Sequence, residues 1–328
     1  MENTCAIILA AGDGKRMKSD KPKVLSEVLF KPMIKWVIDS LHYAKINDIC
    51  IVCGYKHADL EKYLNSIKNS FKGNISTVLQ AERLGTAHAV TMASDFLNKN
   101  IEKDVIILNG DAPFIDPETI KKSYEFHKAK KNSATVISAK IKNPFGYGRI
   151  VRNEQCQLSK IVEQKDANDK IQLINEVNSG VYWFNIKSLL NVIFKISNHN
   201  AQNEFYLPDA ISLLLQKIEN VDAFSVENEN IIKGANDRIQ LNQLNNIARE
   251  KVLYDLMCAG VDIPFNDGII ISDDSKIGEN VTILPNTIIK GETIIGNNCV
   301  IGPNVFLDHC NVSDNNNLQF VNYYDAKI

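Results

Sequence analysis

From residue 5 to about 225, short runs rich in valine, isoleucine and leucine recur: CAIILA, ICIVCG, ISTVLQ, DVIILNGD, ATVISAKI and VNSGVYWF. Between them, apolar positions return at helical spacing over 33–44, 57–68, 86–98 and 117–130. Continuous apolar strands separated by amphipathic helices predict an α/β domain, a mostly parallel sheet covered on both faces. Ligands of such sheets bind beyond the carboxyl ends of the strands. A longer helical pattern runs from 236 to about 257, with Gly260 as its stop, and reads as an arm between two domains. The period then changes to six. Ile271, Ile277, Ile283, Ile289, Ile295, Ile301 and Leu307 follow one another without a miss. Four positions after each comes Ser275, Val281, Thr287, Thr293, Cys299, Val305 or Asn311, nearly all small or β-branched. Such hexads predict a β-helix with three short strands per coil, here little more than two coils. Beyond Val312 the pattern is lost. The expected organisation is therefore a sheet domain over 1–235, a linking helix over 236–260, a β-helix over 261–312 and an irregular tail over 313–328. A solenoid this short has poorly covered ends, so it is expected to lean on the arm or on other copies of the chain.

The bulk numbers narrow the chemistry. Of 328 residues 45% are hydrophobic, enough for a sizeable core, and the formal net charge is -2. No basic excess points to nucleic acid and no polybasic block to anionic lipid. The N-terminus reads as a first strand rather than a signal peptide, and no run approaches the roughly 20 apolar residues of a membrane span. Seven scattered cysteines fit a reducing cytoplasm. Cys50 and Cys53 form a C-x-x-C, but inside a strand pattern, whereas redox pairs open a helix. No second pair completes a zinc site, and the six histidines show no ligand spacing.

The stretch CAIILAAGDGKRM ends an apolar strand in a glycine loop followed by Lys15 and Arg16, with Lys23 close behind in KPKVL. Bare backbone amides plus cations suit a polyphosphate. It is not the dinucleotide fingerprint, because Met17 stands where the third glycine is needed, nor a Walker A loop, since no G-K-[ST] follows. By itself the stretch is compatible with nucleotide binding and with an ordinary strand-to-helix turn.

Further motifs appear in a fixed order: LQAERLGTAHA (79–89), LNGDAPFI (108–115), PFGYGRIV (144–151), IVEQKDA (161–167), EVNSGVYWF (176–184), NAQNEFYLPD (200–209) and GANDR (234–238). Together with LAAGDGKRM and KPKVL, the set resembles the sugar-1-phosphate nucleotidylyltransferases. Within them it is similar to the uridyltransferase half of the bacterial bifunctional N-acetylglucosamine-1-phosphate uridyltransferase/glucosamine-1-phosphate acetyltransferases. The resemblance covers nearly the whole chain. It implies a Rossmann-like sheet domain followed by a left-handed β-helix, with UTP and N-acetylglucosamine-1-phosphate as substrates. UDP-N-acetylglucosamine for the cell envelope and pyrophosphate would be the products, and Mg²⁺ the metal. A close alternative keeps the chemistry with another sugar-1-phosphate or another nucleotide. A non-catalytic nucleotide-sugar sensor on the same fold would lack a metal ligand or a cation, and neither is missing here.

Residue by residue, the resemblance gives Arg16 and Lys23 as phosphate-binding catalytic cations, against a bland reading as solvated surface charges. Leu9, Ala10, Ala11 and Gly12 present backbone to the nucleotide. Gln80, Gly85 and Thr86 form its base and ribose side, where an amide both donates and accepts. His88 in the same motif reads as structural, because the chemistry demands no general base. Asn109, Gly110, Gly148, Glu163 and Asn178 match the sugar pocket, with Tyr206 supporting its wall. Asp111 and Asn236 match the Mg²⁺ ligands; unaided, the first reads as a turn residue and the second as a helix N-cap. Lys15 replaces a threonine common in the family, and Asn109 stands where some relatives carry tyrosine. The hexads end well short of an acetyltransferase half, so acetyl transfer is not expected. A homotrimer through the β-helix is.

Overall fold

A computed structural model describes every residue except Glu2, Asn69 and Ser70 and the side chain of Lys15. The chain forms two compact units, Met1–Leu25 with Met33–Asn236, and Ser26–Pro32 with Asp237–Ile328.

In the first unit seven strands make the main path of a nine-stranded sheet. Their order is Val221–Val226, Ala134–Lys140, Glu176–Asn185, Asp104–Asn109, Thr4–Ala10, Asp48–Cys53, Asn74–Leu79. Only Glu176–Asn185 runs antiparallel to its neighbours on this path; the other pairs are parallel, as the continuous apolar runs predict. Successive residues of one strand feed opposite faces. Cys5 and Ile7 enter one core with Ala89, Val90 and Phe184; Ala6 and Ile8 enter the other with Ile34, Ile38 and Trp183. A hairpin, Arg149–Arg152 with Leu158–Val162, extends the sheet beside Glu176–Asn185. Helix Pro117–Ala129 begins as its Asp-Pro sequence dictates: Asp116 accepts from Thr119 N–H at 2.7 Å and Pro117 fills the first turn. The single helix expected over 86–98 is two, Thr86–Met92 and Ser94–Lys99, because Ala93 (φ -90, ψ 17) leaves the helical region. Cys50 and Cys53 are buried in their strand, and burial pushes their thiols up to about 11 and 12, as structural rather than redox cysteines require.

In the second unit, helix Arg238–Cys258 is capped by Asp237, whose carboxylate accepts from Gln240 N–H at 2.8 Å. The N-cap is therefore Asp237 and not Asn236. Gly260, at φ 95, ends the helix as its position suggested. The hexad residues Ile271, Ile283, Ile289, Ile295, Ile301 and Leu307 are buried, stacked in three parallel ladders that make a hexapeptide left-handed β-helix. Asn280, Asn286, Asn298 and Asn304 turn its corners at φ 54–59, three residues after a hexad isoleucine. Their side chains hydrogen-bond from coil to coil, Asn280 to Asn298 at 3.0 Å and Asn286 to Asn304 at 3.2 Å. Asparagine tolerates this left-handed backbone.

Two sequence expectations change here. The tail is not irregular: Asn317–Leu318 and Asn322–Tyr324 add strands to the ladders, and Ile328 N–H donates to Asn311 O at 2.9 Å. Three full coils are present and a fourth begins. The strict six-residue spacing missed them because the turn after Leu307 is one residue shorter, so Val312 takes the inward position and Leu318 the next. The second change concerns residues 26–32. They pair as a hairpin within the second unit, where buried Lys31 meets Asp273 at 2.7 Å and Asp274 at 3.0 Å, and Leu29 N–H reaches Asn245 Oδ1 at 2.8 Å.

Candidate active site

Parallel register sets Leu9 beside Asn109, so two strands reach their carboxyl ends side by side, and Gly110 N–H continues the ladder to Leu9 O at 2.9 Å. There the chain opens a cavity of about 620 Å³ lined by Leu9, Ala11, Gly12, Gln80, Gly85, Thr86, Asn109 and Asp111 among others. Ala10 and Gly110 are buried just beneath. The backbone-presenting and base-side candidates and Asp111 thus converge on one hollow.

Asp111 follows the Asp104–Asn109 strand, and its carboxylate pairs with the ammonium of buried Lys23. The same ammonium donates to Asn236 Oδ1 at 2.8 Å. Asn236 reaches this place because Gly234 and Ala235 lie on the Asp111 main chain, Ala235 N–H donating to Asp111 O at 3.4 Å. One carboxylate and one amide oxygen therefore face a single cationic centre. Hard oxygen donors in that number suit Mg²⁺, which takes one or two protein carboxylates and completes its shell with water and phosphate. No cluster of three or more His, Cys, Asp or Glu exists among the described residues, so the site fits a metal shared with substrate rather than an all-protein cage.

On the other side of the cavity, Gln80 is buried, its Nε2 donating to Gly85 O at 3.1 Å and lying 3.0 Å from His88 Nδ1. The wall behind is the 200–209 segment: Phe205 N–H donates to Leu84 O, Ala87 N–H to Phe205 O, and Leu207 N–H to Thr86 Oγ1 at 2.9 Å. Phe205 and Leu207 thus back the base-side motif, while Tyr206 donates its hydroxyl to Gln202.

The sugar candidates form a second group. Gly148 lies so close to Glu163 that a Cβ would sit 2.9 Å from Oε1, and Gly148 O accepts from Asn178 N–H at 2.8 Å. Asn178 is buried, donating to Tyr182 Oη at 2.6 Å and accepting from Gly180 N–H at 3.0 Å. Gly180 sits at φ 77 where the strand bulges between Asn178 and Val181, and a side chain there would overlap the Asn109 amide. Asn109, at the cavity, is thereby joined to the sugar group. Burial raises the Glu163 carboxyl above its ordinary range, with Asp166 and Asp209 pushing the same way and Arg149 opposing.

Arg16 is exposed and does not line the cavity, and the Lys15 side chain lies outside the described residues. The cation found at the cavity is Arg83, paired with Asp13 at 2.5 Å. Asp13 and Arg83 also line an adjoining hollow of about 360 Å³ with Gly14, Lys18 and Ser19. Asp13, Arg83, Glu204 and the buried Arg149 all lie inside the recognised motifs, yet nothing in their spacing singled them out. The folded loops bring Asp13, Arg83 and Glu204 to the cavity, while Arg149 bonds Gln164 Oε1 at 2.9 Å apart from them.

A family model described as Nucleotidyl transferase matches residues 5–230, and one described as Bacterial transferase hexapeptide (six repeats) matches 274–309. A protein named Bifunctional protein GlmU from Acetivibrio thermocellus is 40% identical over 290 residues, 88% of this chain and 61% of that protein. One of the same name from Clostridium kluyveri is 42% identical over 287 residues, with the same shares. The match thus spans 61% of the length of these curated relatives. Among solved structures, a putative glucose-1-phosphate thymidylyltransferase from Bacillus anthracis, in complex with a sucrose, superposes with a TM-score of 0.62 at 21% identity. It covers 75% of this chain and 96% of that one, a likeness of fold.

Proposed function

Because the chain belongs to the nucleotidyl transferase family, we propose that it transfers the uridylyl group of UTP to N-acetylglucosamine-1-phosphate, releasing pyrophosphate and UDP-N-acetylglucosamine. The observation that carries this reading is the meeting of Asp111 and Asn236 on one cationic centre beside a cavity floored by bare backbone. Two polyanions must approach each other, so neutralisation and in-line alignment are the main tasks, and no covalent nucleophile is needed.

Leu9, Ala11 and Gly12 let the nucleotide rest on main chain, with Gln80 and Gly85 toward its base. Lys23 leaves Asp111 and Asn236 for phosphate oxygens, freeing both to hold Mg²⁺. When bound, that ion supplies charge stabilisation at the α-phosphate. Arg83 exchanges Asp13 for phosphate in the same way, and Arg16 adds charge from the loop's exposed side. Guanidinium offers paired donors to phosphate and ammonium a point charge. On the acceptor side Asn109, Glu163 and Asn178 bond sugar hydroxyls and the acetamido group, and a sugar that cannot match them forfeits those bonds. Three copies associate through the β-helix, which sedimentation of the intact chain measures.

The test is pyrophosphate release from a panel of nucleoside triphosphates and sugar-1-phosphates with Mg²⁺. UTP with N-acetylglucosamine-1-phosphate is expected to give the highest kcat/KM. A higher value for another pair replaces the substrate assignment; no release from any pair sinks the reading.

A further inference from the structure

Gln80 lines the cavity although its side chain is almost wholly buried, at 4% exposure. Both ends of its carboxamide can be identified from their surroundings. Gly85 O is an obligate acceptor, so the group 3.1 Å away must be the amide NH₂. The second hydrogen of that NH₂ lies toward His88 Nδ1 at 3.0 Å, so this ring nitrogen offers its lone pair and the proton resides on Nε2. Turning the amide over would set its oxygen against a carbonyl and a lone pair at once. With both donors engaged inside the protein, the remaining atom is Oε1. Among the described residues it has no hydrogen-bond partner, and it belongs to a side chain that faces the cavity.

We infer that Gly85 and His88 lock the Gln80 amide with its oxygen toward the base, making the subsite selective for imide bases and His88 a positioning residue for that choice. The inference rests on Gln80 being the base-side residue of the proposed function. An amide left free to rotate could meet either pyrimidine, donating to one and accepting from the other. A locked acceptor pairs with the ring N–H of uracil or thymine. Cytosine in the same pose presents a lone pair there, and its amino group reaches Oε1 only if the ring slides out of register with its ribose.

The experiment measures kcat/KM for UTP and CTP on the same preparations of wild type, His88→Leu, His88→Asn and Gln80→Ala. The ratio of the two substrates cancels any inactive fraction. Wild type is expected to prefer UTP by about 100-fold or more. His88→Leu, which fills the space without an acceptor, is expected to cut that ratio by about tenfold, and His88→Asn, which keeps an acceptor at the δ position, to restore it to within about threefold. The wild-type enzyme, with no substitution, is also expected to discriminate against 3-methyluridine triphosphate, which has no ring N–H, by about 100-fold. If His88→Leu lowers both substrates alike and leaves the ratio intact, His88 merely packs and the inference is overturned. If Gln80→Ala also leaves the ratio intact, or the methylated nucleotide serves as well as UTP, the base-side reading of Gln80 fails with it.

Discussion

Lys23 is the ion-pair partner of Asp111 and holds Asn236 with the same ammonium group. The two oxygen groups assigned to Mg²⁺ are thus gathered by a cation of the protein itself. Asp111→Ala removes the only charged member of the pair. It is expected to lower kcat by on the order of 100-fold or more at saturating Mg²⁺, read as pyrophosphate release. Normal turnover by this variant would remove Asp111 from the metal site.

Asn236 contributes a neutral oxygen, so its loss weakens the site without abolishing it. EDTA is expected to stop turnover and added Mg²⁺ to restore it. Asn236→Ala should need about tenfold more Mg²⁺ for half-maximal rate, with kcat partly recovered at saturation. An unchanged Mg²⁺ midpoint would leave Asn236 as a partner of Lys23 alone.

Gly180 couples a backbone requirement to the sugar side. It sits at φ 77, and a methyl there would overlap the Asn109 amide. Gly180→Ala is expected to destabilise the first unit by about 1–3 kcal/mol and to raise the KM for the sugar-1-phosphate more than that for UTP. Asn109→Gly in the same chain should recover part of the stability, because it removes the overlap and leaves only the strained φ. A double-variant cycle by thermal unfolding measures the coupling.

The parallel sheet, the arm and the six-residue coil were legible because each writes a single period into the chain. What the period could not carry was lost. The shortened turn after Leu307 broke the hexad count, although Val312 and Leu318 continue the core. The hairpin at 26–32 joined the second unit through Lys31 and its two aspartates, long-range contacts with no local pattern. At the site, Leu9, Gly12, Gln80, Asn109 and Asp111 were found by motif and meet at one cavity. Arg16 was assigned from the resemblance and lies exposed off the cavity, which Arg83 lines. Which cation of a loop faces a ligand depends on backbone dihedrals that residue type leaves open.

Glu163, proposed above to bond the sugar, carries a stability cost set by its burial. Burial first, then the charges of Asp166 and Asp209, raise its pKa above the ordinary 4.5. The folded chain therefore keeps this proton to higher pH than the unfolded chain. The cost is absent below about 4.5, grows as pH rises through the folded value and is complete above it. Glu163→Gln removes that cost. Its Tm is expected to match wild type near pH 4 and exceed it near pH 7, while the KM for the sugar-1-phosphate rises. A Tm below wild type near pH 7 would contradict the sign.

Leu318 tests the packed end of the β-helix. Its side chain is buried, while Phe320 two residues on is exposed. Its carbonyl accepts from Gly302 N–H at 2.9 Å, so losing the side chain loosens a bond that hydrogen exchange can follow. Leu318→Ala is expected to cost about 2 kcal/mol locally, roughly a thirtyfold loss of protection at the Gly302 amide. Phe320→Ala, which uncovers nothing, should leave that amide within about twofold of wild type. Equal protection in both variants would mean that the last coil is not held by its inward residue. The six-residue count would then have been right to stop at Val312.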